Sequence, residues 1–529
     1  MSRLLLAGFI VVAAIAAEPQ SSIVQVPCAL GGAACGEALQ RAIDEAAPGT
    51  TIALDPGKVY EGPFVVPSRP EPSNGRRILI TTRGWDDKGT GWNGLVTPAD
   101  KPRMAILRAA PRRNTVIDIQ NGPAGGNVVL LGLAFEALRP AGQGEIIRIG
   151  SPTETSAANM ASRVSIRQVL IQGDRQFGQK RGIAVHGRDI DIGQVWCDEM
   201  FIAGQDAQCI ATWNGGKHVR IRYSYLAAGA ENLIIGGAPI ASAEMEAEDW
   251  LIEDVILHKP LRWQQDGANR QVKNLLEFKQ GKHITVRRVL AVNNWAAAQD
   301  GMGLLINYTT TGRCPQCGGL EDVLIEDLVM LNVEGGVSFQ GYSWNSESHN
   351  SRKLQNVTLR NSYIQLSGSG RSLLISNVLD RHNIRVERST FVNGDSAWLT
   401  GSFGRAWLDE DTPTRGGPMV GLWLIDNVFT QNGRYGITAP DGRHFGSGIG
   451  AFVSGDLQIA GNVIGDAPAD HLANYNKYTA GGPANESASG DRMRASLTAG
   501  GCAEWGRGKG ADCARLAPVF ALVKRLPEP

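Results

Sequence analysis

The chain has 529 residues, and its 52 Lys+Arg are balanced by 52 Asp+Glu, so the formal net charge is zero. A neutral chain lacks the basic footprint of a nucleic-acid binder or of a protein captured by an anionic membrane. An ordinary globular chain of this length divides into several domains, whereas a solenoid escapes that limit because each unit packs only on its neighbours.

Residues 1–16 carry one early basic residue, Arg3, an apolar run from Leu4 to Ile15, and the small-residue stretch Ala14-Ile15-Ala16. That is the pattern of a secretory signal peptide, too short for a membrane span. The expectation is a secreted or periplasmic protein with no integral membrane segment after cleavage. The eight cysteines form four local couples, Cys28/Cys35, Cys197/Cys209, Cys314/Cys317 and Cys502/Cys513, and an even number in a secreted chain favours disulfides. Cys314-Pro-Gln-Cys317 also has the spacing of a redox motif or half a zinc site. No second pair follows at zinc-like spacing, so a structural staple is the preferred reading.

Residues 17–127 read as an N-terminal cap and early irregular coils. Ala38, Leu39, Ala42, Ile43 and Ala46 make an apolar helical stripe that Pro48-Gly49 stops. Two strands follow, up to residue 66. A helix here can cover the open end of a stack of strands, which would otherwise expose apolar surface and unpaired edges.

Residues 128–466 are organised by a repeat, best seen over 272–308. Short alternating runs such as Leu275–Lys279, Ile284–Val286 and Val289–Val292 are separated by tight polar corners, and alternation over a few residues marks strands with one buried face. The second run of each unit begins at Val128, Val164, Ile190, Val219, Leu251, Ile284, Val323, Val357, Ile384, Leu422 and Leu457. Asp254, Asp327, Asn361 and Asn427 mark the corner that follows it. Periods of this size mean solenoids, propellers or arrays. The two-residue hairpin turns of a propeller are largely missing. The expected fold class is all-β, a right-handed parallel β-helix of about eleven coils with an N-terminal capping helix. Residues 467–529 are a tail, polar until 511–526, which has the composition of a C-terminal cap.

The helix and strands at 36–66, with the coils that follow, resemble the right-handed parallel β-helix proteins of the pectate-lyase-like superfamily. The stretch 204–310, with GQDAQCIATWNG, AENLIIGG, KPLRW, VKNLLEFK and NNWAAAQDG, is similar to a group of secreted bacterial β-helix repeat proteins. The superfamily resemblance implies carbohydrate-active enzymes, mostly lyases and hydrolases of acidic polysaccharides, with non-catalytic members among them. It also implies that the strand preceding each repeated run forms the sugar-binding face. Alternation then turns Ile183, Ile210, Leu276, Phe278, Ile306 and Phe339 inward and His186, Trp213, Glu277, Lys279, Asn307 and Gln340 outward.

Eliminative cleavage of a uronate needs a base for the proton beside the carboxylate and a group that neutralises the growing charge. Lys279 is the base candidate, although Glu277 two residues away favours its charged form and the two also read as a plain surface pair. His186 and His218 are the alternatives, as residues that titrate near neutrality or as structural histidines. Trp213, Trp263 and Trp295 offer aromatic faces to sugar rings or cover loops. Asn214 supplies an amide, and Arg262 a fork for a uronate carboxylate. Asp206 and Asn232 are candidates to hold Ca²⁺ or a hydroxyl, against which stands the lack of a dense acidic cluster. The charged motifs of polygalacturonases and of calcium-dependent pectate lyases are missing. The favoured function is a secreted polysaccharide lyase on an acidic glycan, acting as a monomer. A non-catalytic glycan-binding or adhesion β-helix and a glycoside hydrolase are the alternatives.

Overall fold

A computed structural model describes residues 22–29, 31–69, 75–110, 115–123, 125–136, 144–308, 317, 319–341, 354–368, 370–376, 381–394, 396–400, 419–429, 436–438, 453–464 and 509–527. The signal-peptide segment, Cys314, Cys502 and most of the tail lie outside them.

All named strand pairs are parallel, and they form two hydrogen-bonded systems. One is a sheet of twelve strands that takes a single strand from each coil, from Phe64–Val66 to Gly436–Thr438. The second contains the other two runs of each coil. The protein is a right-handed parallel β-helix.

The register of the second runs matches the sequence pattern at ten of its eleven marks. Val164 faces Ile190, which faces Val219, and the column continues through Ile284, Val323, Val357, Ile384, Leu422 and Leu457. The exception is Leu251. Trp250, not Leu251, stands between Val219 and Ile284 and is 1% exposed in the core. Its ring fits because the indole N–H donates to the Gly216 carbonyl at 2.7 Å, which satisfies the one polar atom that burial would strand. The preceding coil supplies the room through Gly216, whose left-handed backbone (φ +82°) lies under the indole; a Cβ there would approach the ring to 2.8 Å.

In the central coils the second and third runs are one continuous strand, as in Lys217–Ala228, Glu248–His258, Gly281–Asn294 and Leu320–Val333. Each bends at a left-handed residue: Tyr223, Asp254, Arg288 and Asp327 have φ of 50–56°. Asp254, Asp327 and Asn361 are therefore corner residues as expected, but Asp426 rather than Asn427 takes the corner in its coil. Asn427 is one place further on, fully buried, where its Oδ1 accepts from the Ser389 N–H and its Nδ2 donates to Asn462.

Pairing also begins earlier than the repeat first becomes legible. Ile23–Val26 pairs with Thr51–Leu54, which pairs with Ile78–Thr82 and then with Val128–Leu131. The helix runs from Gly32 to Glu45 and buries Leu39, Ala42 and Ile43 against the first coil, with Ala38 only partly covered. The helix near the C-terminus, Cys513–Phe520, does not close the stack. It lies along its flank, where Arg515 pairs with Glu326 and Asp327 and Phe520 meets Tyr363 edge-on at 5.2 Å.

Cys28–Cys35 and Cys197–Cys209 are disulfides. Cys317 and Cys513 are also disulfide-bonded, and their expected partners fall outside the described residues. Among the described residues no helix is long and apolar enough to cross a membrane.

Candidate active site

The outer face of the twelve-stranded sheet is the face expected to meet sugar, and its middle strands carry the chemistry. Ile183, Ile210, Leu276, Phe278, Ile306 and Phe339 all point into the core, none more than 2% exposed. The strand-by-strand register places Ala211, Ile234, Glu277, Leu305 and Ser338 in one outward row. A second row, nearer the strand starts, is Glu145, Arg181, Gln208, Glu231 and Asn274.

Most outward residues in the middle of these rows are nevertheless covered. Glu231 and Glu277 are both fully buried, and so is Asn274 within 1%. Gln208 donates to Glu231 Oε2 at 2.8 Å. Lys273 lies 2.5 Å from Asp206 Oδ2 and 3.7 Å from Glu231 Oε1. Lys279 reaches over Glu277 with Nζ 3.0 Å from Oε1, and its own side chain is 20% exposed. Gly236 lies under Lys279 with φ +105°, and a Cβ there would come within 2.8 Å of the lysine Cβ. That close approach requires glycine.

Burial raises the Glu277 carboxyl to about 8, and the charge of Glu231 adds to the effect while Lys279 opposes it. Two carboxylates in one dry site cannot both ionise cheaply, so one retains a proton. Burial would lower Lys273, but Glu231 and Asp206 outweigh it and leave the amine raised. At neutral pH the cluster therefore contains one neutral carboxyl, and the Lys279 amine beside it reaches the surface.

The remaining expected site residues divide into those brought near this cluster and those turned away. Trp213 is half-buried between the Arg181 guanidinium, 4.6 Å from its ring centre, and the edge of His186 at 4.4 Å. Asn307 and Gln340 are register partners on the sheet's outer edge, both partly exposed, with Gln340 Nε2 3.1 Å from Ser338 Oγ. Trp295 is partly exposed and packs on the hydrophobic cluster along the flank.

Six of the expected residues are buried or engaged within the protein. His186 is fully buried, and burial pulls it down to about 3 against the bond that its Nδ1–H makes to the Asn214 carbonyl at 2.8 Å, so it is a neutral interior imidazole. Asn214 is buried, donating to the Glu154 carbonyl and accepting from the Ala241 N–H. Asn232 is buried and donates to the Leu226 and His258 carbonyls. Trp263 is 5% exposed beneath Arg270, and Arg262 is ion-paired with Glu199 rather than open to a ligand. Asp206 is engaged by Lys273. His186, Asn214 and Asn232 are covered, and burial requires such polar residues to find partners within the protein, whereas Arg262 and Asp206 stay partly exposed in their ion pairs.

Sequence reasoning missed Glu231, Lys273 and Asn274. The signal was present in the stacking: Glu231 and Asn274 occupy the register position of Gln208 and Arg181, so one column of polar residues opens the strands. It also missed Lys259, completely buried, which donates to the carbonyls of Ala228, Gly229 and Ala230 at 2.8–2.9 Å and to Asn232 Oδ1 at 3.2 Å. Burial pushes it down to about 7, but an amine with four oxygen acceptors around it is held as a structural clamp.

The same stretch fits a hard divalent cation. Glu231 Oε1, Asn274 Oδ1 and both Glu277 oxygens are buried without an aligned hydrogen-bond partner. Two carboxylates and an amide oxygen are the donor types that Ca²⁺ takes, and Asp206 stands beside them with its oxygen committed to Lys273.

No protein-family model and no curated protein sequence matches the chain. Among solved structures it is similar to a PL6 family alginate lyase, AlyGC, with a TM-score of 0.51 and 16% identity over 88% of this chain and 53% of that one. It is also similar to the catalytic domain of a GH87 alpha-1,3-glucanase (TM-score 0.48, 13% identity, 84% and 70% covered). A third is the PL6 family polysaccharide lyase Pedsa3628 from Pseudopedobacter saltans (0.39, 11%, 93% and 95%). The chain spans about half the length of the alginate lyase. The likeness to the alginate lyase agrees with the parallel β-helix fold.

Proposed function

We propose that the protein is a secreted polysaccharide lyase acting on a uronate-containing glycan, with Lys279 as the base. The observation that carries the proposal is the pairing of a surface-reaching amine with a fully buried, proton-retaining carboxyl 3.0 Å beneath it. Lys279 in its amine form takes the proton from the carbon beside the uronate carboxylate. The electron pair becomes a carbon–carbon double bond as the neighbouring glycosidic C–O bond breaks, and the leaving oxygen takes a proton from the Lys279 ammonium. The proton on Glu277 keeps a second full negative charge away from the uronate, whose own charge grows in the transition state. A Ca²⁺ held by Glu231, Asn274 and Glu277 would take the place of that proton and itself supply the neutralisation of the uronate carboxylate. Trp213, half-buried against the Arg181 guanidinium, offers an aromatic face to a sugar ring. Secretion is supported by the disulfides, which persist in oxidising compartments.

The hydrolase reading is disfavoured by the carboxyl pair itself. Glycosidase carboxyls stand apart with sugar or water between them, whereas Glu231 and Glu277 share one dry site. The glycan-binding reading is supported by the inward turn of Asn214, Asn232 and Trp263, which leaves few polar groups for chemistry.

The test is ultraviolet absorbance of the unsaturated product on incubating the protein with a panel of uronate polysaccharides, with and without Ca²⁺. A rise that Lys279→Ala abolishes and the surface variant Lys524→Ala does not supports the lyase. A flat trace across the panel, with retention on a glycan array, replaces it with the binding protein.

A further inference from the structure

The corner that opens each second run places one residue in the left-handed region. Asp189, His218, Asp249, His283 and Asp322 hold φ between 51° and 56°. Asp, Asn and His tolerate that conformation better than most side chains, which accounts for Asn356 and Asn383 further along the same column. It does not account for the alternation of acid and imidazole. Parallel register stacks these side chains about 4.8 Å apart, and the result is a ladder across five coils. His218 Nδ1 is 2.9 Å from Asp189 Oδ1 and its Nε2 3.4 Å from Asp249 Oδ2. His283 Nδ1 is 3.1 Å from Asp249 Oδ1 and its Nε2 3.5 Å from Asp322 Oδ2.

Both nitrogens of each ring thus face a carboxylate. In its neutral form an imidazole carries a single N–H, and one nitrogen per ring then turns a lone pair towards an anionic oxygen. A cation between the two converts that repulsion into a pair of ligand bonds. The His283 Nδ1 side is the better furnished, because Glu248 Oε1 lies 4.0 Å from the same nitrogen. The donor atoms of Glu248, Asp249 and His283 all fall within 4.8 Å of one another.

We propose that Glu248, Asp249 and His283 form a binding site for a divalent transition metal, with Zn²⁺ the best-matched ion. One imidazole nitrogen and two carboxylate oxygens are a zinc-type donor set, and bonds of about 2.1 Å to donors 3.1 Å apart subtend roughly 95–100°, an angle zinc accepts. Glu248 completes the set by closing roughly half an ångström on the His283 nitrogen, and at most roughly 1.4 Å on Asp249, since tetrahedral donors stand about 3.4 Å apart. Lys217 and Lys282 hold Glu248 at 2.9 and 3.1 Å without the metal, and the ion replaces Lys282 at Oε1. All three ligands lie at the start of second runs, whereas Lys279 follows a strand of the twelve-stranded sheet, so the site stands independently of the lyase reading.

The experiment is isothermal titration of the metal-stripped full chain with Zn²⁺. The expected result is saturable binding of about one ion per chain at micromolar or tighter affinity. His283→Asn and Asp249→Asn, chosen because asparagine keeps the left-handed corner, weaken it at least tenfold while the metal-free thermal midpoint is unchanged. Glu37→Gln, exposed on the N-terminal helix, binds as the parent does. Absence of saturable binding, parent-like binding by His283→Asn, or loss of binding in Glu37→Gln overturns the assignment.

Discussion

Replacing Glu277 by glutamine tests whether the buried carboxyl carries a proton. In the unfolded chain a glutamate releases its proton at about 4.5, whereas in the fold burial and Glu231 hold it to about 8. Between those values the folded state binds one more proton than the unfolded state, so stability falls as pH rises. The slope is about 1.4 kcal/mol per pH unit. Over the whole window the cost accumulates to on the order of 5 kcal/mol, a ceiling because Glu231 and Glu277 share the proton. The Glu277→Gln variant keeps the shape and the hydrogen-bonding capacity of a neutral carboxyl but has nothing to ionise at that position. Urea unfolding of both proteins from pH 5 to pH 9 should give similar midpoints at the acid end. The parent should then lose stability steadily towards pH 8 while the variant stays flatter, leaving the variant the more stable at alkaline pH. Parallel curves for the two proteins would refute the protonated carboxyl and with it the charge argument for Lys279.

Three further outcomes are expected. Trp250→Ala should cost about 3–5 kcal/mol because it empties the core between two coils, whereas Leu251→Ala, on the partly exposed face, should cost under about 1 kcal/mol; comparable losses in urea unfolding would reverse the register assigned to that coil. Lys259→Met should destabilise by about 3 kcal/mol or more, since it removes the shared donor of three buried carbonyls and the Asn232 oxygen, of which only Ala230 is shown to keep another partner, the Asn274 N–H; an unchanged urea midpoint would show that those oxygens find water. Removing the Cys197–Cys209 bond by a double Ser substitution should cost roughly 3 kcal/mol from the freed loop, read as a lower thermal midpoint, and no change would mean the coil constrains that loop without it.

The sequence by itself determined the solenoid. Its second-run apolar positions are separated by variable loops, yet each must fill the same column of the core, so Val164, Ile190, Val219 and their successors could be aligned without coordinates. The inward residues of the twelve-stranded sheet were legible for the same reason, since parity along a strand decides which side chain meets the core. Trp250 broke the rule because a large ring with its own hydrogen-bond acceptor fits a column otherwise filled by aliphatic side chains. Only the tertiary structure decided what covers the outer face. Whether a histidine or asparagine on that face meets solvent depends on loops from other coils, which carry no periodicity, and they close over His186, Asn214, Asn232 and Trp263. It also brought Glu231 against Glu277, 46 residues apart in the chain, and the acid–base character of the site comes from that contact rather than from either residue alone.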